Sequence, residues 1–281
     1  MPTARIVNLS QNQLEYFEHG HGPRKIAFIH GFEASARIWT EVQQALPVDR
    51  YTSVAINNRG AGNSHAPTQD SDFGVEPFAA DAFALLQFLR WRGFTLVGHS
   101  MGGATATRFA LDHPDLLEGL VLLNPASPDG RPGTPEQIEL RVEAFLQARR
   151  LRLAQAVPAP LSEPKHATSP QSPDWRVQLD HDMANAPERR LRGSMRSMHA
   201  QRMGADLNRL TMPALLACGD QDDLIALPDL LETWRKLPKD AGLQVWHGVG
   251  HSPNLECPAA FAALLRQFVD TTAFQRVQRS A

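Results

Sequence analysis

Hydrophobic and polar positions fall into short, punctuated runs over the first third of the chain. Residues 4–9 and 14–18 have β-branched or aromatic content and are split by the turn-forming Ser10-Gln11-Asn12. His19-Gly20-His21-Gly22-Pro23 makes a second turn. Residues 25–30 are almost wholly apolar, the pattern of a strand buried on both faces. Residues 36–46 then read as helical and 51–56 as another buried strand. Residues 77–91 carry Phe78, Ala82, Leu85, Leu86 and Leu89 at helical spacing until Gly93 stops the run. A strand over 94–97, a helix rich in small residues over 101–112 and a strand over 119–123 follow. Such alternation predicts a parallel sheet covered by helices on both faces.

The alternation breaks at Pro125. From 125 to 209 the spacing predicts helices over 135–156, 175–186 and 188–203 and no strand; Pro158, Pro160, Pro164, Pro170 and Pro173 mark a loop between the first two. Alternation resumes with a strand over 214–218, a helix over 228–237, a strand over 243–246 and a closing helix over 258–274. The middle stretch is therefore expected to be a helical insertion into one α/β domain.

Composition narrows the function classes. Of 281 residues, 42% are apolar and 21% charged, an ordinary globular balance that excludes disordered and fibrous chains. A net charge of −2 supplies no basic field for nucleic acid. No apolar run reaches the ~18 residues of a membrane span, and residues 1–10 lack the basic start and apolar stretch of a secretory signal. Cys218 and Cys257 make neither a disulfide framework nor a zinc cluster. The expectation is a soluble cytoplasmic protein without a metal. Arginine is lopsided, 24 against 4 lysines, and 12 of the 24 lie between 125 and 209 beside 10 acidic residues. Two readings stand: solvated helix faces, or a funnel for an anionic substrate.

Chemistry concentrates at four places. The strand over 94–97 runs into Gly98-His99-Ser100-Met101-Gly102, a G-x-S-x-G turn between strand and helix. Such a turn strains the backbone at the serine and exposes its hydroxyl where helix-opening N–H groups can stabilise an oxyanion. A serine hydroxyl needs a base. His251, in Gly250-His251-Ser252-Pro253, is the candidate. Asp222, in Gly219-Asp220-Gln221-Asp222, is the preferred acid to orient that imidazole, with Asp220 and Asp223 as neighbouring candidates. The order Ser, Asp, His is the one expected on this scaffold. Phe32 and Met101 are the expected oxyanion N–H donors, Gly31 permitting the turn before Phe32, and His30 is read as a brace for that loop. The side chain of His99 is expected to face away from the site. No His, Asp and Glu spacing resembles a metal cluster.

At these residues the chain resembles the α/β-hydrolase superfamily over nearly its whole length. His30-Gly31-Phe32 is similar to the family's oxyanion loop and Gly98–Gly102 to its nucleophile elbow. Gly219–Asp222 is similar to its acid loop, and Gly250–Pro253 to its histidine loop. The run from Asn57 to Ser64 resembles a D-x-R-G-x-G-x-S turn, with Asn57 where Asp is usual, a structural position in the family. The resemblance implies an α/β-hydrolase fold with a mostly parallel central sheet, a core from 1–124 and 210–281, and a helical cap, or lid, from 125–209. It also separates relatives. Haloalkane dehalogenases and epoxide hydrolases carry an Asp nucleophile at this turn, and relatives that take their acid one strand earlier need a carboxylate near Asn124. His99 suits esterases, lactonases and haloperoxidase-like perhydrolases better than C–C hydrolases.

The implied activity is cofactor-free cleavage of a small carboxylic ester or lactone through an acyl-enzyme on Ser100. Alternatives are a C–C bond hydrolase, a thioesterase or a perhydrolase with the same three residues, and, more remotely, a non-catalytic receptor. The expected partner is a small acyl molecule rather than nucleic acid or membrane. Gly31, Phe145, Trp175, Met195 and Met198 are the candidates to line its pocket; four of the seven methionines (Met183, Met195, Met198 and Met203) lie in the insertion.

Overall fold

Period-two alternation along the strands sorts the core onto two faces of one sheet. In a computed structural model, strand β3 (Arg24–Ile29) turns Ile26 and Phe28 toward Trp39, Val42, Phe261 and Leu265. It turns Ala27 and Ile29 toward Leu85, Leu86, Phe109 and Leu230. Each large side chain fully buried this way contributes about 1.5–3 kcal/mol. The structure describes residues 1–10, 12–155 and 174–279, with side chains through 273.

The sheet adds β1 (Thr3–Asn8), β2 (Gln13–Gly20), β4 (Tyr51–Ile56), β5 (Phe94–His99), β6 (Leu117–Leu123), β7 (Ala214–Gly219) and β8 (Gly242–Trp246). The order is β1-β2-β4-β3-β5-β6-β7-β8. β2 pairs antiparallel with β1 and β4, and every other pairing is parallel. Helices α1 (Thr40–Gln44) and α9 (Pro258–Arg279) cover one face; α2 (Val75–Phe88), α3 (Met101–Asp112) and α7 (Leu227–Lys236) cover the other. This is the α/β-hydrolase fold. Among the described residues no helix is long and apolar enough to cross a membrane.

Several expected helices differ at their ends: the one expected over 188–203 stops at Ala200, and the closing one expected over 258–274 runs on to Arg279. The stretch expected over 36–46 opens as a tight 3₁₀ turn, Ala36–Trp39, because the Ser35 hydroxyl accepts the Arg37 N–H at 3.4 Å. Only Thr40–Gln44 is α-helical before Pro47. The helix expected over 77–91 starts two residues earlier, since Pro77 in a first turn gives up no hydrogen bond. It ends by Phe88, because Arg90 is left-handed (φ 55°). The short α8 (Pro253–Glu256) lay too close to the histidine loop to show a period.

Between β6 and β7 the chain leaves the sheet. α4 (Pro135–Ala154) begins at a capping box of Thr134 and Gln137 and packs Val142 and Leu146 against Leu191 of α6 (Glu188–Ala200). α5 (Asp174–Ala184) packs against the 36–39 turn. The described part of this excursion holds no strand; the proline-rich loop expected from 158 to 173 lies outside the described residues. Its arginines are largely ties within the fold. Arg150 pairs with Glu188, Arg192 with Glu139 and Glu143, and Arg196 with Glu139 and Asp70. Arginines paired this way add no uncompensated field for an anionic substrate.

Candidate active site

The loops after β3, β5, β6, β7 and β8 all leave the same edge of the sheet, and every candidate residue of the core stands on one of them. Ser100 follows β5 with φ 55° and ψ −121°, a left-handed conformation unusual for a residue with a side chain. Local crowding imposes the glycines around it. A Cβ on Gly98 would lie 2.1 Å from the Gly102 carbonyl oxygen, and one on Gly102 would lie 2.3 Å from the Ile29 carbonyl oxygen. The turn is tied down through the Ser100 N–H, which donates to the Leu123 carbonyl at 3.0 Å, and the Ser100 carbonyl, which accepts from Gly103 and Ala126. Ser100 therefore stands half-buried at the N-cap of α3, its hydroxyl making no capping bond, at the positive end of a twelve-residue helix.

Asp222 and His251 meet directly. His251 Nδ1 lies 2.7 Å from Asp222 Oδ2, and the same oxygen accepts from Asn124 Nδ2 at 2.7 Å. The other oxygen, Oδ1, accepts the Leu224 and Ile225 N–H groups at 2.8 and 3.0 Å. Burial pushes the Asp222 carboxyl up, but the His251 hydrogen bond and charge and the Asn124 and Ile225 donors outweigh it. The group is held below the usual carboxylate range. Because an ionised carboxylate only accepts, His251 carries its proton on Nδ1 and leaves Nε2 as the basic nitrogen. Asp220 serves another loop, taking His247 Nδ1 at 2.6 Å and the Gly248 N–H at 2.8 Å. Ser100 is related to His251 through His99, the residue before it, whose ring lies against that of His251.

His99 fixes that neighbourhood. Its ring lies 4.8 Å from the His251 ring, and its Nε2–H donates to the His251 carbonyl at 2.9 Å. The expectation that His99 faces away from the site is thus corrected. Alternation along β5 places it with Val97 on the face of Trp39, and the loop after β8 folds over that same face. Burial, then the nearby His251, lowers the His99 pKa to about 3, so the ring is neutral. Its Nδ1 is buried without a partner among the described residues.

The loop after β3 reaches Ser100 from the other side. A Cβ on Gly31 would lie 3.0 Å from the Ser100 Cβ, so any larger residue here would push on the serine by a few tenths of an ångström. His30 braces the loop: its Nε2 accepts the Asn58 N–H at 3.2 Å and its Nδ1–H donates to the Gly31 carbonyl at 2.8 Å. Burial lowers the His30 pKa to about 3, which keeps the neutral tautomer those two bonds require. Among the described residues neither the Phe32 nor the Met101 N–H donates to a carbonyl in the turns and caps. Asn57 also has a physical reason. Its amide oxygen accepts the Ala36 N–H at 2.7 Å while its nitrogen donates to Glu15 at 2.7 Å, and a carboxylate at position 57 would face that carboxylate instead.

Above the serine two apolar clusters meet at Phe32. One holds Met101, Phe73, Phe78 and Met203 with Met198 beside them; the other holds Val142, Leu146 and Leu191 with Phe145 and Met195. The Phe32 and Phe145 rings are 5.1 Å apart, edge to face. Trp175 does not join them: it packs with Ile38, Trp39 and Leu179 in the core below. Sequence reasoning missed Asn124, considered only as a missing carboxylate although its amide is a donor at the right strand end. It also missed Glu33, whose partners lie more than a hundred residues away. Among the described residues no three His, Cys, Asp or Glu side chains cluster to hold a metal. A histidine oriented by a carboxylate, beside a strained serine and two unclaimed N–H groups, has the parts for moving a proton and stabilising an oxyanion.

Residues 26–258 match the family model of the alpha/beta hydrolase fold. The fluoroacetate dehalogenase of Burkholderia sp is 33% identical over 123 residues, 43% of this chain and 40% of that one. The 2-(acetamidomethylene)succinate hydrolase of Mesorhizobium japonicum is 25% identical over 279 residues, covering 95% of each chain. Among solved structures, an esterase from Exiguobacterium antarcticum superposes with a TM-score of 0.81 at 18% identity, covering 95% of this chain and 100% of its own.

Proposed function

The chain belongs to the α/β-hydrolase family and is a hydrolytic enzyme, and we propose that it cleaves a small carboxylic ester or lactone through an acyl-enzyme on Ser100. In this reading His251 Nε2 takes the Ser100 proton as Oγ bonds to the carbonyl carbon. The Phe32 and Met101 N–H groups hold the oxyanion. When the tetrahedral intermediate collapses, His251 returns the proton to the leaving oxygen. Water, deprotonated by the same nitrogen, then releases the acid and restores Ser100. Asp222 keeps His251 in the required tautomer and stabilises its cation. The excursion over 125–209 acts as the cap, and Phe32, Phe145, Met195 and Met198 offer an adaptable apolar wall to the substrate.

The observation that carries the reading is Ser100 itself: a left-handed, half-exposed serine at a helix N-terminus, next in sequence to His99, whose ring lies 4.8 Å from the ring of a His251 paired with Asp222 at 2.7 Å. The activity named for the Burkholderia relative does not transfer well. Displacing a halide onto a serine would leave an ether, which has no acyl carbon for water to attack.

A fluorophosphonate probe should label Ser100 in the native protein, with labelling abolished in Ser100→Ala and suppressed in His251→Ala. Hydrolysis of p-nitrophenyl acetate should follow the same order. A panel of esters, lactones and vinylogous diketones then separates ester or lactone cleavage from C–C cleavage. Absence of both labelling and turnover would overturn the proposal.

A further inference from the structure

We propose that Glu33 is a positioning residue for the oxyanion loop, and that arginines of the helical excursion hold it in place. The inference rests on the acyl-transfer reading and concerns what aims the Phe32 N–H. Glu33 follows Phe32 directly and has φ 60°, a left-handed backbone that a glutamate adopts only when its surroundings enforce it. The surroundings are specific. Its Oε1 accepts from Arg149 Nε at 3.1 Å and from Arg152 Nη2 at 2.6 Å, both on α4. Arg149 is itself 5% exposed and also donates to the carbonyls of Met183 and Ala184, which close α5, and of Ala186 just beyond it.

The next residue is gripped as well. The Ala34 carbonyl accepts from Arg190 Nη2 at 2.8 Å, and Arg190, 2% exposed on α6, also donates to the Gly60 carbonyl at 3.3 Å. The Phe32 ring in turn packs on Phe145 of α4. Two helices of the excursion, α4 and α6, thus fix three consecutive residues of the loop, and Arg149 ties the end of α5 to the same clamp. A buried carboxylate and buried guanidinium groups tolerate little displacement, since breaking the pair strands a charge away from water. The Phe32 N–H direction therefore depends on the excursion being docked, and an excursion that lifts away takes one oxyanion donor with it.

The test compares p-nitrophenyl acetate with its thionoester, whose sulfur is a weak hydrogen-bond acceptor and gains little from an oxyanion donor. Glu33→Gln should lower kcat/KM for the oxygen ester about 30-fold, less than the ~10²–10³ expected for losing one donor outright, because the donor is misaimed and not removed. The thionoester should change less than about threefold, after correction for the fraction of Ser100 that a fluorophosphonate titrates. Arg152→Gln, which keeps the Arg149 arm, should shift the ratio the same way by a smaller factor and covers the case in which Glu33→Gln does not fold. An equal fall for both esters, or no fall in either variant, overturns the clamp while leaving acyl transfer standing. A native protein that neither labels at Ser100 nor turns over either ester overturns both.

Discussion

Two buried carboxylates stand beside the candidate chemistry, and they are held in different ways. Asp222 takes all four of its donors from the α/β core: His251 Nδ1, the Asn124 amide and the Leu224 and Ile225 N–H groups. Glu33 takes its charged donors from α4, in the excursion. The proton path proposed for this enzyme is complete within the sheet and its loops. The oxyanion site is shared between the sheet and a unit laid on top of it. Changes at the first should behave alike whatever the excursion does, whereas changes at the second should report how the excursion is docked.

The largest effects belong to the core-built half. Ser100→Ala should remove fluorophosphonate labelling and lower p-nitrophenyl ester turnover by about 10⁴-fold or more. Asp222→Asn should lower kcat by about 10³–10⁴-fold with little change in KM, because an amide can donate to the imidazole and favour the wrong tautomer. A middle-sized effect tests the missed donor. Asn124→Ala should reduce kcat about tenfold, the size expected for one charge-assisted hydrogen bond of ~1.5 kcal/mol, without the oxygen-to-sulfur signature of Glu33→Gln. If Asn124→Ala shifted that ratio, the two halves would not be separate.

This division also explains what could be read in the chain. Strand alternation and the Gly98–Gly102 turn are local, so the sheet, its helical faces and the strand–serine–helix geometry were all legible. The order of Ser100, Asp222 and His251 is a property of the scaffold, and the fold brings the acid and the histidine to 2.7 Å. What escaped was set by distant partners or by a face. Glu33 meets Arg149 across 116 positions, and Asn124 meets Asp222 across 98. His99 needed the path of the loop after β8, and Trp175 needed the docking of α5 against the 36–39 turn. Arginine excess was visible, but the matching carboxylates, scattered over both the core and the excursion, were not.

A further comparison concerns pH. His99 and His30 are neutral in the folded protein, with burial lowering both to about 3 from an ordinary 6.5. The unfolded chain takes up protons at these positions as pH falls below that ordinary value, while the fold does not. Their contribution to stability is therefore present above about pH 6.5 and is lost progressively as pH falls toward 3. The urea midpoint should drop between about pH 7 and pH 4.5. His99→Gln, which retains a donor for the His251 carbonyl, should show a shallower drop; an unchanged slope would mean that His99 is protonated in the fold.

The smallest effect is expected where arginine is exposed, and it sharpens the contrast within the excursion. Arg196 bridges α6 to Glu139 of α4 and to Asp70 of the core, at 2.8–2.9 Å, yet its side chain is 42% exposed. Water solvates it in either state, so its ion pairs contribute at most about 1 kcal/mol and are weakened by salt. Arg149 is 5% exposed and has no such alternative. Arg196→Gln should lower Tm by only a few degrees (about 2–4 °C for a chain this size), by less still in 0.5 M salt, and leave the oxygen-to-sulfur ester ratio at the native value. Arg149→Gln should move that ratio even in high salt, because its partner is out of reach of screening ions. Equal behaviour of the two variants would show that the excursion is held on by its net charge pattern, not by the buried clamp at Glu33.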